Sequence, residues 1–504
     1  MKLFRTICVL GITLCLATSV YAGTQSVKIS GDLTIRALAR DDFDLDQNHA
    51  EPAVPGTASA IGAGNPQPGT SDWQTWFQSA AEVQIDADLT DNVSAVLRLF
   101  NQRSWDTSVK SINTTDVTLV RGEGVSYTSD PDEFDLGLDL AYVELKEFLY
   151  SPLTLKIGRQ DMWFGKGFVV GANLKDYYAN INADEYTVQT SFDAIRATFD
   201  YDPWTIDAVA AKIWENEIGS KDDEDLFGVN VGYLFDSYNA EMEGYWFYKN
   251  DNQIQPTIIK QHNTVHTIGL RGSADPIDKW TASGELAMQF GDFVGFRNQQ
   301  SERSRFGWAV DVSAECREFV DDFAWKPVIG TEYIFYSGDD EEYPTVATDS
   351  TFNGWDPMYR GKFDTAYREF VGKYNFTRLG WIGGRTAYVN TFGDASYTNQ
   401  HQAIIYGAVE PSDSITVDGR LAFFWQQHAT AYPASILSGG APADTSNSKR
   451  KRFMGTELDL GLTWDYTEDV SFGVLAAWFF PGSFYNDEGD SVATDLVGTM
   501  KLSF

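Results

Sequence analysis

The sequence predicts an all-β fold, a transmembrane antiparallel β-barrel of about 18 strands of the outer-membrane type. Three observations lead there. Short segments of apolar/polar alternation recur along the 504 residues, with no helical heptad and no 18-residue apolar run. The connections between them form two populations, tight and long, that largely alternate. The chain finishes on an amphipathic segment whose last residue is Phe504.

Residues 1–22 carry Lys2 and Arg5, an apolar run from Ile7 to Ala17, then Val20-Tyr21-Ala22 in the small-x-small arrangement of a signal-peptidase site. They read as a cleaved signal peptide, which leaves residues 23–504 as one barrel. The apolar run is too short for a spanning helix, which needs roughly 20 residues. Cys15 follows Leu14 rather than a small residue, which argues against a lipoprotein. Cys8 and Cys15 leave with the signal, so Cys316 alone remains and no intramolecular disulfide forms. Losing Lys2 and Arg5, the only charges in that segment, takes the formal charge from -34 to about -36. So acidic a chain has no basic footprint for nucleic acid. No linker-like shift in composition separates two cores.

The first strand alternates Val27, Ile29, Leu33, Ile35 and Ala37 with Lys28, Ser30, Asp32, Thr34 and Arg36, and a Pro/Gly/Asp-rich loop follows to about residue 72. Phe77, Ala81, Val83 and Ile85 then alternate with Gln78, Glu82, Gln84 and Asp86. Thr90-Asp91-Asn92 turns the chain into Val93, Ala95, Leu97 and Leu99, opposed by Ser94 and Arg98. The same grammar predicts strands near 136–147, 153–164, 191–201, 205–214, 225–235, 240–249, 264–273, 280–290, 305–316, 327–337, 402–410, 415–426, 455–466, 470–480 and 490–504.

One strand breaks the pattern. Leu153, Leu155 and Ile157 alternate with Thr154 and Lys156, and continued alternation would put Arg159 on the apolar face. A β-bulge at Gly158 is therefore expected to reset the parity and turn Arg159 into the lumen.

Tight turns fall at 90–92, 202–204, 236–239, 411–414 and 467–469; long loops occupy 41–72, 104–135, 338–401 and 427–454. Short turns on one side and long loops on the other fit a barrel in an outer membrane. A β-sandwich would also alternate, but it has no reason to segregate loop lengths. Nor would it place Trp73, Trp246, Trp280, Trp464, Tyr466 and Trp478 at strand ends, where a bilayer interface favours them.

In the last strand Val492, Leu496, Met500, Leu502 and Phe504 share one face, opposed by Asp495, Thr499, Lys501 and Ser503. A terminal aromatic on such a strand resembles the signal read by the outer-membrane barrel assembly machinery, so Phe504 is the expected assembly signal and that machinery an expected partner.

Three motifs resemble the alginate-export family of outer-membrane proteins. The first is Ala141-Tyr142-Val143, then Gly158-Arg159-Gln160, then Phe192-Asp193-Ala194-Ile195-Arg196. The second is Tyr336-Ser337-Gly338-Asp339 followed by Thr351-Phe352, and the third Gly455-Thr456-Glu457-Leu458-Asp459-Leu460 followed by Phe480-Pro481-Gly482. The resemblance implies an 18-stranded barrel passing a polyanionic polysaccharide through a lumen lined with basic residues.

Parity puts Lys28, Arg36, Arg98, Lys156, Arg196, Arg271 and Arg420 in the lumen, joined by Arg159 if Gly158 bulges. The same count puts Asp32, Glu82, Asp86, Glu285, Asp311, Glu332, Asp418, Asp459 and Asp495 there. Arg36, Arg98, Arg159, Arg196 and Arg420 lie near strand centres and form an expected basic belt for an anionic saccharide. The alternative is that Asp32, Glu82 and Asp418 pair with these arginines and leave a cation-preferring pore.

Other constellations are thin. Asp42, Asp44 and Asp46 have alternating carboxylate spacing, but Gln47 replaces the glycine of an EF-hand loop and no glutamate stands at its twelfth position. Asp339, Asp340, Glu341 and Glu342 make no better metal site. Lys449, Arg450, Lys451 and Arg452 lie where lipopolysaccharide phosphates would sit, so lipids of the outer membrane are the remaining partners. His49, His262, His266, His401 and His428 are scattered without a nucleophile motif, so neither catalysis nor a metal or cofactor is expected. The expected activity is passive passage of an anionic oligo- or polysaccharide, with a general diffusion porin or a plugged structural barrel as alternatives.

Overall fold

The computed structural model describes residues 25–42, 73–105, 136–173, 188, 190–215, 223–252, 263–293, 303–317, 319, 323–339, 351–361, 398–429, 451–484 and 491–504. The expected signal peptide lies outside them. Eighteen antiparallel strands pair with their neighbours and close on themselves. They are β1 (Ser26–Asp41), β2 (Gln74–Thr90), β3 (Val93–Ser104), β4 (Gly137–Leu145), β5 (Leu153–Gln160), β6 (Phe192–Tyr201), β7 (Trp204–Trp214), β8 (Glu224–Leu234) and β9 (Glu241–Asp251). The second half comprises β10 (Asn263–Ile277), β11 (Trp280–Phe293), β12 (Arg303–Cys316), β13 (Val328–Tyr336), β15 (Gln400–Ser412), β16 (Ile415–Gln426), β17 (Phe453–Asp465), β18 (Val470–Pro481) and β19 (Ala493–Ser503). The two-residue β14 (Thr351–Phe352) runs parallel to β12 and is not a stave; β13 pairs directly with β15.

Closure comes from β1, which pairs with both β2 and β19. Gly31 and Phe504 exchange two backbone hydrogen bonds of 3.0 Å at this seam. No edge is left to meet lipid, where each unpaired backbone group would cost several kcal/mol. Among the described residues no helix is long and apolar enough to cross a membrane.

The faces follow the pleat, and the usual polarity of a fold is inverted. On β11 Leu286, Met288 and Phe290 are exposed and point outward, while Glu285, Ala287 and Gln289 are buried and point inward. Tight turns join β2 to β3, β6 to β7, β10 to β11 and β15 to β16 at one end of the barrel. The long connections leave from the other end. Inward positions near the tight turns, such as Lys28, Asp88 and Asp418, are exposed, whereas those toward the long loops, such as Phe192, Phe247, Val265 and Phe424, are buried. The interior is therefore open at one end and packed toward the other.

Candidate solute pathway

The packing comes from two segments that leave the wall on the long-loop side and turn inward. The strand expected over 153–164 stops at Gln160, and residues 161–173 enter the lumen. Residues 353–361, inside the long loop after β13, meet them there through a parallel bridge between Val170 and Tyr359. The Tyr359 N–H donates to Val169 O at 3.0 Å, Gly171 N–H to Tyr359 O at 2.8 Å, and Gly361 N–H to Gly167 O at 2.9 Å. Two irregular chains thus satisfy each other's backbone away from water.

Segment 353–361 is fixed by charge. Asp356 is buried, with Lys249 Nζ 2.6 Å from its carboxylate and Arg305 Nη2 at 3.8 Å. The Gln289 amide donates to Asp356 O at 2.6 Å and accepts from Asp356 N–H at 2.8 Å. Tyr359 donates to Glu224 at 2.6 Å, and Arg360 donates to the Tyr336 hydroxyl. Burial opposes ionisation of Asp356, but Lys249 and Arg305 outweigh it and hold the carboxyl at about 2.

Segment 161–173 is fixed chiefly by apolar packing. Met162, Phe164, Phe168, Val169 and Val170 are buried. Phe168 stacks on Tyr336 at 5.6 Å and on Trp355 at 6.2 Å, and Phe164 packs on Phe247 at 5.2 Å. Its polar tethers are Lys166, 2.9 Å from Ser313 Oγ and 3.4 Å from Asp311, and Asp161, 3.1 Å from Arg98.

The five arginines expected as a belt are placed unevenly. Arg36 points inward between Gln78 and Thr499 on the neighbouring strands. Arg98 points inward and pairs with Asp139 at 2.6 Å. Arg196 pairs with Asp207 at 2.7 Å and lies over the Phe164 ring. Arg420 faces Asp459 across the β16–β17 ladder. The partners of Arg98 and Arg196 are thus Asp139, Asp161 and Asp207; Asp32 instead accepts from Ser503 Oγ at 2.5 Å.

Arg159 is a correction. Its ladder is unbroken on both sides, with Arg159 opposite Ala141 and Asp193, and it shares the outward parity of Ile157. Asp193, itself 63% exposed, receives Arg159 Nη1 at 3.3 Å on the outer face. Gly158 takes φ +125°, where a Cβ would lie 2.2 Å from Ala141 O, and so absorbs the distortion within one residue. The charge is tolerable because β5 ends one residue later, near the interface, where the cost of a lipid-facing Arg falls to about 0–1 kcal/mol. A register shift does exist, but on β4, where Asp139 is displaced opposite Arg98 and Leu99. It turns Asp139 inward to Arg98.

Lys156 and Arg196 are direct ladder partners, with Glu144 3.5 Å beyond Lys156 and Asp207 beyond Arg196. Like charges side by side repel, so this row of acid, base, base, acid keeps positive character at its centre. Lys156 and Arg196 each leave about a quarter of the side chain exposed, 25% and 24%, and Arg98 on β3, four residues further toward the long loops, leaves 21%. Toward the tight turns the wall over β9–β13 has the opposite sign: Glu241, Glu243, Glu285, Asp311, Glu315 and Glu332 face inward against Arg271 and Lys166, whereas the cations Lys249, Arg303 and Arg305 lie nearer the long loops.

Asp44, Asp46, residues 340–342, Lys449, Arg450, His49 and His262 lie outside the described residues. Asp339 pairs with Arg303 at 3.0 Å. His266 and His401 sit on the outer face, His266 stacked 4.4 Å from Tyr248 and His401 2.7 Å from the Tyr333 hydroxyl. The lumen residues that sequence reasoning missed include Trp163, Lys166, Lys249, Arg303, Arg305, Asp356 and Arg360, and the acids Asp139 and Asp207. A signal existed for some of them: Trp355, Met358 and Tyr359 crowd around Asp356 in an otherwise polar loop, and Trp163 to Phe168 mixes three aromatics with two glycines.

Comparison with solved structures finds this chain similar to OccK9 (OpdG) of Pseudomonas aeruginosa, at 12% identity and TM-score 0.49 over 95% of this chain and 99% of that one. It is also similar to OccK11 (OpdR) of Pseudomonas aeruginosa, at 11%, 0.48, 95% and 96%, and to OccAB4 of Acinetobacter baumannii, at 10%, 0.48, 96% and 100%. No curated protein matches. The family model described as alginate export matches residues 65–499, which takes in strands β2 to β18, both inward segments and most of β19. The chain therefore belongs to the alginate export family.

Proposed function

We propose that this outer-membrane channel passes an anionic saccharide by diffusion down its own gradient. The observation that carries the reading is the Lys156–Arg196 ladder pair on the lumen face, two partly exposed cations set side by side. A uronate carboxylate placed there relieves their mutual repulsion and exchanges with Glu144 or Asp207, so it is held without being trapped. Family membership points the same way. The second reading, a cation-preferring diffusion porin, is favoured by the acid excess on the β9–β13 wall.

Full-length protein in planar bilayers separates them. Under the first reading a uronic-acid oligomer interrupts the current, and the double substitution Lys156→Glu with Arg196→Glu shortens those events at least tenfold while heat-modifiable gel mobility persists. If the unaltered channel passes potassium well ahead of chloride and no acidic oligomer blocks it, the general-porin reading stands instead.

A further inference from the structure

Trp163 is anomalous in this molecule. The other large apolar side chains left exposed among the described residues lie on outward strand positions, at strand ends or in turns; Trp163 is 51% exposed inside the wall. Its neighbours in sequence establish the location. Asp161 is bound to Arg98, the Phe164 ring lies under Arg196, and a Cβ on Gly165 would stand 2.7 Å from Arg271 Cδ. These are inward groups of β3, β6 and β10, so residues 161–165 reach across the lumen.

The indole is supported on one side and open on the other. Gly167, at φ +72°, and Gly361 both lie against it: a Cβ on either would come within 2.5 Å of Trp163 Cζ2 or 2.6 Å of Cζ3. The ring thus rests on glycine backbone from both inward segments where they join. Its N–H is already used, donating to Gly165 O at 3.0 Å. What remains on offer is the π-face, held rigidly. A flat aromatic face suits the C–H-lined face of a pyranose ring, whose axial hydrogens meet the negative quadrupole while its hydroxyls stay in water.

We propose that the exposed face of Trp163 is a stacking subsite for one pyranose unit of a saccharide in the lumen, with Arg98, Arg196 and Arg271 on the surrounding walls. This deepens the saccharide reading above and rests on it for the class of solute, but not for its charge. An aromatic stacking face accepts neutral and acidic sugars alike, whereas the Lys156–Arg196 pair selects the acidic ones.

The test is channel block by two probes, a uronic-acid hexamer and a neutral glucose hexamer, on full-length protein, Trp163→Ala and Trp163→Phe in planar bilayers. Trp163→Ala is expected to cut the residence time of the blocking probes about tenfold or more, the scale on which one stacked ring contributes. Trp163→Phe is expected to recover most of it, and retained heat-modifiable mobility shows that both variants fold. Block by the neutral hexamer alone, dependent on Trp163, supports the subsite and removes the anionic reading. Block of the unaltered channel that Trp163→Ala leaves unchanged overturns the subsite and spares the anionic reading. No block of the unaltered channel by either hexamer overturns both.

Discussion

Residues 161–173 and 353–361 fill the same lumen and share a backbone bridge, yet opposite physics holds them. Segment 353–361 brings a carboxylate into the barrel and is met by buried Lys249 and Arg305. Segment 161–173 brings aromatic and aliphatic side chains and is met by a cluster of Phe, Tyr and Trp rings. A buried ion pair is all or none, because removing one partner strands the other's charge. Apolar packing is graded, because each lost methylene costs a similar increment. The first segment is built to stay, and the second can be loosened in steps.

The sharpest way to break this contrast is Asp356→Ala. It leaves Lys249 and Arg305, both buried, without their shared anion, a loss of about 3 to 5 kcal/mol localised at the segment. The expected outcome is detachment of 353–361 and a large rise in single-channel conductance with the barrel still folded. Acid should imitate it. The Asp356 carboxyl is held at about 2, below its unfolded value, so the stabilisation is complete above pH 4 and is lost as pH falls toward 2. Conductance that stays constant from pH 5 to pH 2 would remove the latch from the account.

Phe168→Ala probes the graded segment. Phe168 is fully buried between Tyr336 and Trp355, and Arg360 lies 5.6 Å from its ring centre, so truncation costs about 3 kcal/mol. The contrast predicts a partial effect: noisier open current and a modest conductance gain, because Phe164, Val169 and Val170 still pack. A conductance jump equal to that of Asp356→Ala would mean that the two segments move as one body.

The wall was legible in the sequence and its filling was not, for a physical reason. Period-2 alternation records which face meets lipid, and lipid imposes it on every strand, so Leu286, Met288 and Phe290 announce their side. Residues 161–173 and 353–361 are irregular and are specified by tertiary partners far along the chain, such as Gln289 for Asp356 and Asp311 for Lys166. No local period encodes such pairings. Arg159 misled for a related reason. Parity arguments weigh face but not depth, and at the end of β5, beside Asp193, an outward Arg costs little. The acids that meet Arg98 and Arg196 were missed because Asp139 reaches inward by a register shift, and Asp207 lies on a strand where no acid was assigned to the lumen.

The smallest expected effect belongs to Lys166→Met, and it sharpens the comparison most finely. Lys166 is the one cation by which segment 161–173 touches the acidic wall, through Asp311 at 3.4 Å, Glu332 at 3.8 Å and Ser313 at 2.9 Å. If this tether worked as the Asp356 latch does, its loss would release the segment. It keeps 22% of its side chain exposed, however, its contacts with Asp311 and Glu332 are long, both acids keep other interactions, and methionine preserves the length of the stem. A cost of about 1 kcal/mol follows, with unchanged mean conductance. Selectivity should move instead. Toward the tight turns the β9–β13 wall sets Glu241, Glu243, Glu285, Asp311, Glu315 and Glu332 against Arg271 and Lys166, while Lys249, Arg303 and Arg305 lie nearer the long loops, so removing Lys166 raises the local potassium concentration well inside a Debye length of about 8 Å. The reversal potential in a potassium chloride gradient should therefore shift toward potassium while conductance holds. A conductance rise without that shift would make Lys166 a latch, and the two segments would then be held alike.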